Sequence, residues 1–205
     1  MIDTNALRSK ILDLAMRGKL LDDEERITYK RVLINVPELF IEIPEYWKWV
    51  KIGDLFLHNT GKALNASDIS GRLLPYITTS NLYWNRFELT NIKCMYFRDD
   101  EVEKCTIKKG DLLVCEGGDI GRAAIWDYDY DMRIQNHIHK LRPYRSDEVL
   151  SKFYYYIFWL YKNNGWISGQ GIGLQGFSAK RLHSLPMPFP PFAEQCRIVA
   201  RIDGL

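Results

Sequence analysis

Two periods of apolar residues alternate along the chain and predict where its helices and strands lie. Near the start, apolar residues recur every three or four positions, which is typical of one helix face and predicts a helix over residues 4–17. The stripe consists of Leu7, Ile11 and Leu14. Asp3 or Thr4 is a suitable cap for this helix, and Gly18 is a suitable stop. Residues 21–40 show only a weak pattern and are predicted to be a polar connector.

The middle of the chain is predicted to be rich in strands. Trp47 and Trp49 alternate with lysines, which predicts a strand, and G53-D-L-F follows as a helical turn. Residues 58–72 are predicted to be a polar loop. Apolar runs bounded by turn signals then predict strands at 74–79, 92–97, 111–115, 122–126 and 133–142. Because these strands do not alternate regularly with helices, we predict an α+β fold and not a doubly wound sheet.

A second helix is predicted over residues 147–162, with Ser146 as its cap and N163-N-G as its stop. It contains the aromatic run F153-Y-Y-Y-I-F-W-L-Y, whose apolar side chains share one face. This pattern predicts a buried helix with tyrosine hydroxyls at its edge. A glycine-rich loop (164–177), a short turn (178–182) and a proline-rich extended segment (184–191) come next.

The last predicted helix begins near residue 192, where Pro190-Pro191 ends the extended segment and pre-sets the helical start. Glu194 lies in the first turn, where the helix dipole favours an acid. The apolar stripe of this helix consists of Ile198, Ile202 and Leu205. We expect the stripe to pack against the N-terminal helix or against another chain.

Composition predicts one sizeable domain with a smaller piece, since the chain has 205 residues of which 46% are hydrophobic. The four cysteines show no C-x-x-C spacing, and neither a signal peptide nor a bilayer-length apolar run is present. We therefore expect reduced thiols in a cytoplasmic protein with no membrane partner.

The net charge of +2 conceals an uneven distribution along the chain. Residues 133–183 contain eight Lys or Arg against two acids, whereas residues 99–131 contain ten acids against four bases. This distribution suggests one face for a polyanion and another for a different partner. Ordinary surface charge explains it equally well.

Two segments match enzyme motifs, but the residues around them argue against an enzymatic role. G171-I-G-L-Q-G matches G-x-G-x-x-G, but a helix precedes it and prolines follow, which favours a surface loop over a nucleotide site. F189-P-P-F resembles the end of the N-P-P-Y methyltransferase motif, yet Phe189 cannot hydrogen-bond a target amino group. His137 and His139 could hold a metal only if they shared a strand face, and we favour ordinary polar strand residues. No catalytic residue, cofactor or metal is predicted.

Four polar segments carry side chains that suit DNA recognition. Gln and Asn can pair bidentately with adenine, Arg with guanine, and Lys with phosphate. The candidate DNA-binding residues are Thr78, Thr79, Ser80 and Asn81 at a strand end; Gly117, Gly118 and Arg122 in E116-G-G-D-I-G-R; Gln135, Asn136, His137 and Lys140 on a strand; and Gln170, Gln175, Lys180 and Arg181 around the glycine-rich loop. Turn formation explains any one segment as well, so the prediction rests on all four together.

Longer stretches resemble the specificity (S) subunits of type I restriction–modification systems. LPMPFPPFAEQCRIVARID (185–203) closely resembles the segment that closes each target-recognition domain of that family. IPEYWKWVKIGDLF is similar to the start of such a domain, KKGDLLVCEGGDIGRAAIW to its central strand–loop–strand, and IQNHIHKLRP to its N-Q-H-type strand with a changed order. MIDTNALRSKILDLAMRGKL is similar to its helical N-terminal segment.

The resemblance implies a non-catalytic subunit with two recognition domains joined by two long antiparallel helices. Each domain reads one half of a split double-stranded DNA target, the helices dock methyltransferase subunits, and a translocating endonuclease subunit joins the complex. On this basis we expect an N-terminal helix and connector (1–40), a strand-rich target-recognition domain (41–191) and the start of a coiled-coil-type spacer helix (192–205).

Several alternatives stay open on the sequence alone. The chain holds one recognition domain, so it is either a truncated form or a natural half-subunit that forms a homodimer. A different alternative is the recognition part of a fused methyltransferase or nuclease whose catalytic region lies outside residues 1–205. The coding sequence beyond Leu205 separates this alternative from the first, because a spacer and a second domain would follow in an S subunit.

Overall fold

The computed structural model describes residues 4–17, 19, 29–33, 40–168, 174–175 and 177–204. Asp3, Gly18, Gln170, Leu205 and the side chain of Gln175, all named above, lie outside the described residues. The helices of the described part are α1 (Thr4–Met16), α2 (Ile52–Leu55), α3 (Asp99–Cys105), α4 (Ser151–Asn163), α5 (Ala179–His183) and α6 (Phe192–Asp203). Its strands are β1 (Tyr29–Leu33), β2 (Phe40–Pro44), β3 (Lys48–Lys51), β4 (Phe56–Thr60), β5 (Arg72–Ile77), β6 (Leu82–Tyr83), β7 (Arg86–Phe87), β8 (Lys93–Phe97), β9 (Thr106–Ile107), β10 (Leu112–Cys115), β11 (Ala123–Ile125), β12 (Met132–Ile134), β13 (Ile138–Pro143), β14 (Ile167–Ser168), β15 (Leu174–Gln175) and β16 (Pro186–Phe189).

Two four-stranded sheets form the centre of the fold. One has the order β11-β10-β13-β4, with all its pairs antiparallel, and the other has the order β8-β5-β12-β9, in which β5 and β12 are parallel. The four residues of β10 are fully buried and face alternate sides. Leu112 and Val114 belong to the larger hydrophobic core, whereas Leu113 and Cys115 belong to the core shared with the second sheet. A strand covered on both faces is therefore a continuous apolar run.

Helix α4 fills the larger core with the aromatic residues that the sequence predicted to be buried. Phe153, Tyr154, Phe158 and Tyr161 are at most 2% exposed. The hydroxyl of Tyr161 donates to the carbonyl of Pro186 at 2.9 Å, so the helix also holds β16 through a polar contact. Burial raises the pKa of Tyr161, which keeps this hydroxyl a donor.

Helix α6 is attached to the rest of the domain by two buried polar side chains. The carboxylate of Glu194 accepts hydrogen bonds from the hydroxyl of Tyr46 and from Nε1 of Trp47, both at 3.0 Å. The amide of Gln195 accepts from the backbone N–H of Leu150 and donates to the carbonyls of Glu148 and Pro190. We call Glu194 and Gln195 the buried latch. It joins the start of α6 to the turn before β3 and to the segment that leads into α4.

Helices α1 and α6 contact each other and α4, as the two apolar stripes suggested. On α6, Ile198 and Ile202 are buried. On α1, the buried residues are Leu12 and Ala15, while Leu7 is 47% exposed and Ile11 is half-buried. The face that packs is therefore centred on Leu12 and Ala15, and of the predicted stripe Ile11 packs against the core while Leu14 is half-buried. Helix α6 has 12 described residues, and its continuation as a long spacer stays a prediction.

Several local predictions were wrong, each for a structural reason. Helix α4 begins at Ser151 with Leu150 as its cap residue, and Ser146 lies in the preceding turn. The predicted strand 133–142 is two strands, β12 and β13, because its halves pair in different sheets. The predicted connector 21–40 contains β1 and the first residue of β2, which pair antiparallel. Strand β4 occupies the start of the predicted loop 58–72, and α3 was not predicted at all.

We expect Ile198→Asp to destabilise the protein severely. The side chain is 1% exposed, so the substitution forfeits roughly 1.5–3 kcal/mol of apolar burial and also buries an unpaired carboxylate. The free energy of unfolding, measured by urea titration, should fall by at least about 3 kcal/mol. Ala200→Asp is the matched control, because Ala200 is exposed on the same helix and the change of charge is the same. Equal unfolding free energies for the two variants would contradict the packing of α6.

Candidate nucleic-acid interface

Three of the four predicted DNA-binding segments meet at one edge of the two sheets. Parallel strands β5 and β12 end side by side, and the N–H of Gln135 donates to the carbonyl of Ile77 at 3.0 Å. Strand β10 ends beside the start of its antiparallel neighbour β13, and the N–H of Glu116 donates to the carbonyl of His137 at 2.9 Å. Residues 78–81, 116–122 and 135–137 are thus adjacent, and we call them the loop cluster.

The central loop of the cluster, residues 116–122, depends on glycines for its path. Gly118 and Gly121 have φ values of +68° and +82°, which favour a residue without a side chain. A Cβ atom on Gly118 would lie 3.9 Å from Oγ1 of Thr79, and one on Gly121 would lie 2.5 Å from Cγ2 of Ile167. The loop therefore runs close to residues 78–81 on one side and to β14 on the other.

Arg122 links two parts of the cluster. Its Nη2 donates to the carbonyl of Thr79 at 2.7 Å, and its guanidinium carbon lies 5.1 Å from the centroid of the Tyr83 ring. Its Nη1 lies 3.9 Å from the carboxylate of Asp119. The sequence placed Arg122 among the candidate DNA-binding residues, and these contacts also give it a structural role in joining two parts of the cluster.

The base of the glycine-rich loop lies next to the cluster. Strands β14 and β15 pair in parallel, and β14 contacts the 116–122 loop at Gly121. The ammonium group of Lys162 donates to the carbonyl of Ile120 and forms an ion pair with Asp119, both at 2.8 Å. The fourth predicted segment is therefore brought towards the other three at its described residues.

A pair of histidines supports the end of the glycine-rich loop. Nε2 of His139 lies 2.6 Å from the carbonyl oxygen of Phe177, and its Nδ1 lies 2.9 Å from Nε2 of His58. Because a carbonyl can only accept, Nε2 of His139 must carry the proton, and Nδ1 then accepts from His58. Burial lowers the pKa of each histidine to about 4, and the neighbouring His183 also lowers that of His58. Both rings are neutral at pH 7.

This arrangement rules out the metal pair considered for His137 and His139. His137 lies in the turn before β13 and is exposed, whereas His139 is fully buried with both ring nitrogens engaged. Within the described ranges, no group of three or more His, Cys, Asp or Glu side chains is placed to hold a metal ion. None of the helices described is long and apolar enough to cross a membrane.

Four predicted side chains in the loop cluster are free to meet a ligand. In the part of the chain that the structure describes, the side chains of Thr79, Gln135, Asn136 and His137 make no hydrogen bond with the protein. Gln135 and Asn136 instead use their backbone groups, and the N–H of Asn136 donates to the carbonyl of Lys62 at 3.0 Å. The backbone of this turn is thus fixed while its amide side chains stay available.

Two predicted DNA-binding residues have structural roles instead. Asn81 is 7% exposed, accepts hydrogen bonds from the N–H and hydroxyl of Thr78, and donates to the carbonyl of Glu88. Lys140 is 2% exposed, and its ammonium group donates to the carbonyls of Lys104 and Thr106. Lys140 is therefore not available to a phosphate, and Asn81 shapes the turn that presents its neighbours.

Lys180 and Arg181 are exposed on the short helix α5, as DNA-binding cations should be. Helix α5 contacts α2 and β4, and its cap residue Ser178 directly follows Phe177, the residue held by His139. The histidine pair thus holds the chain just before the helix that carries the two cations. The hydroxyl of Ser80 is exposed but bonds to that of Thr78 at 2.7 Å.

The acidic and basic segments of the sequence contact each other through two ion pairs. Arg142 forms a bidentate ion pair with the buried Asp111, with both distances 2.7 Å. Lys162 pairs with Asp119, which also belongs to the acidic segment. Two cations of the basic segment are thus neutralised by the acidic segment, and the division into two faces stays a prediction for the remaining charges.

Sequence reasoning missed the β6–β7 hairpin, whose Tyr83 ring lies beside Arg122. A signal was present: Trp84 and Asn85 form a two-residue turn, and Asn85 adopts a φ of 54° that Asn tolerates better than most residues. His58 was also missed, since a lone histidine in a predicted loop carries no signal of its partner.

Comparisons with known proteins agree with the architecture. The family model for the type I restriction modification DNA specificity domain matches residues 44–205. The HsdS subunit from Thermoanaerobacter tengcongensis has a similar structure, with a TM-score of 0.65 and 18% identity over 98% of this chain and 44% of that chain. A chain from a structure on complex assembly and conformational transition of the type I R-M system gives a TM-score of 0.61 and 20% identity, over 98% of this chain and 45% of that chain.

The chain thus spans less than half of either solved structure. At these identities the likeness concerns the fold, and it confirms the predicted mixture of several sheets with few helices. None of the curated protein sequences compared gives a significant match.

The histidine pair predicts a loss of stability in acid. Because the folded pKa of His139 lies near 4 and the unfolded value is 6.5, its contribution is present above pH 6.5 and is lost as the pH falls towards 4. At pH 5 this loss amounts to about 2 kcal/mol for His139. The free energy of unfolding should therefore fall between pH 7.5 and pH 5 in the wild type. In His139→Gln this fall should be smaller by about 2 kcal/mol.

His137→Gln is the control for this experiment, since His137 is exposed and lies two residues away. It should keep the pH dependence of the wild type. If His139→Gln kept it as well, the buried pair would not be the group that titrates.

Proposed function

Because this chain belongs to the family of type I restriction modification DNA specificity domains, we propose that it reads one half of a split DNA target within a type I restriction–modification complex. Domains of this family supply DNA specificity and are not catalytic. The observation that carries the proposal is the loop cluster, where the free amide side chains of Gln135 and Asn136 lie in one turn whose backbone is fixed by hydrogen bonds to neighbouring segments. Such side chains suit the major groove, where they can pair with base edges.

The proposed partners follow from the family. We propose that methyltransferase subunits dock on the helical part formed by α1 and α6, where Leu7 is 47% exposed. An endonuclease subunit joins the same complex. The complex is located in the cytoplasm. If the protein is a half-subunit, two copies supply the two half-site readers. A whole S subunit supplies both within one chain.

Methylome sequencing of cells with and without the gene tests this function directly. Loss of methylation at a two-part motif on deletion of the gene is the expected result, and the motif identifies the target. An unchanged methylome, with the associated methyltransferase gene expressed, would contradict the proposal.

The loop cluster leads to a prediction about base reading. Gln135→Ala or Asn136→Ala, in complex with the methyltransferase subunits, should relax one position of the half-site by about 1–3 kcal/mol, the range for a bidentate base contact. The measurement is a titration against a set of targets that differ from the optimum by one base. Neither substitution should lower the melting temperature, because neither side chain bonds to the protein in the described part.

Lys180→Ala and Arg181→Ala are the contrasting variants. They should weaken binding to every sequence about equally and reduce the salt dependence, which is the behaviour of a phosphate contact. Full wild-type preference in both amide variants would show that residues 135–137 do not read bases. Residues 78–81 and the glycine-rich loop would then be the readers to test.

A further inference from the structure

The β6–β7 hairpin is a rigid projection at the edge of the loop cluster. Leu82 is fully buried at its base, and Trp84 in its turn packs edge-on against Tyr155 of α4, with ring centroids 6.1 Å apart. The N–H of Asn85 donates to the carbonyl of Ala123 at 3.3 Å. The hairpin is therefore held by β11 on one side and by α4 on the other.

Arg86 of this hairpin is an exposed cation whose charge contributes to lowering the pKa of Glu88, after the hydrogen bonds from Thr90, without an ion pair joining the two side chains in the described part of the chain. Its guanidinium carbon lies 4.6 Å from the centroid of the Tyr83 ring, directly across the hairpin. Within the described part of the chain, no carboxylate lies within ion-pair distance of Arg86. The carboxylate of nearby Glu88 accepts hydrogen bonds from the N–H and hydroxyl of Thr90 instead.

The surroundings of Arg86 distinguish it from the other arginines of the sheets. The guanidinium of Arg122 donates to the carbonyl of Thr79 and contacts Tyr83 and Asp119. The guanidinium of Arg142 donates to the carboxylate of Asp111. Arg86 has its planar group held against an aromatic ring, with its hydrogen-bond donors left over. A guanidinium held in this way has lost part of its conformational freedom before any ligand binds, which favours a bidentate contact with an anion.

The position of Arg86 indicates which anion this is. Tyr83 lies between Arg86 and Arg122, and Arg122 in turn holds the carbonyl of Thr79 in the loop cluster. An anion bound to Arg86 therefore lies at the edge of the loop cluster, beside the free amide side chains that can contact base edges. We infer that Arg86, stacked on Tyr83, binds a phosphate of the DNA backbone and fixes the duplex at this edge of the loop cluster. This inference rests on the proposed DNA-recognition function.

The test is a salt titration of DNA binding with three variants of the full protein in complex with its methyltransferase subunits. Binding is followed by fluorescence anisotropy with a labelled duplex that contains the target and with one of scrambled sequence. Arg86→Gln should weaken binding to both duplexes on the order of tenfold and make the plot of log K against log salt shallower by about 0.9, the value for one phosphate. Arg86→Lys keeps the charge and should keep the slope.

Arg145→Gln is the matched control. Arg145 is also exposed and its loss changes the charge by the same amount, but it is ion-paired with Asp147 and Glu148. It should leave the salt slope unchanged. Melting temperatures of all variants should match the wild type, because these guanidinium groups are exposed.

The outcomes separate this inference from the function on which it rests. If the wild type binds DNA and Arg86→Gln keeps the full slope, Arg86 does not bind a phosphate, and a protein carboxylate becomes its more reasonable partner. If Arg86→Gln changes the order of preference among target variants, the residue reads bases and the phosphate assignment is wrong. If the wild type binds neither duplex, the proposed function itself is overturned.

Discussion

The buried latch of Glu194 and Gln195 is the interaction on which the arrangement of the helices and the domain depends. Both side chains are almost inaccessible to water, so each hydrogen bond they lacked would leave a polar group unsatisfied at a cost of about 1–3 kcal/mol. All the partners are present only when α6 starts at Phe192, when Trp47 faces inward and when the turn before α4 is formed. Three distant parts of the sequence must therefore be folded together before the latch is complete. This requirement gives the domain a single way to attach to α6.

Much of this fold follows from the sequence because burial leaves a direct record in it. The continuous apolar run Leu112–Cys115 indicated a strand covered on both faces, and the aromatic run of α4 indicated a buried helix. The break between β12 and β13 left no such record, because residues 135–137 contain neither Gly nor Pro and the change of sheet is a long-range event. Short strands such as β6 and β7 depend on pairing across a turn and not on their own composition.

The candidate site was predictable in its position but not in the roles of its members. Strand ends and glycine-rich turns indicated which segments carry exposed polar groups. Sequence could not show that Lys140 points inward, although Ile138 on the same face of β13 belongs to the core between the sheets. Nor could it show that the side chains of Asn81 and Arg122 form hydrogen bonds with the protein, whereas those of Gln135 and Asn136 form none in the described part. Chemical type suggests what a side chain can bind, and only its neighbours decide whether it is available.

The pairing of β3 with β16 has a consequence for chain topology. These strands lie at the start and at the end of the domain and run antiparallel in register from Lys48–Phe189 to Lys51–Pro186. The chain therefore passes into the domain and out of it at one place, next to the contact between α1 and α6. The pairing of β3 with β16 thus holds together the two ends of the long segment between them. Loops far from this pairing are the places where we expect changes in length or sequence to leave the contact between α1 and α6 intact.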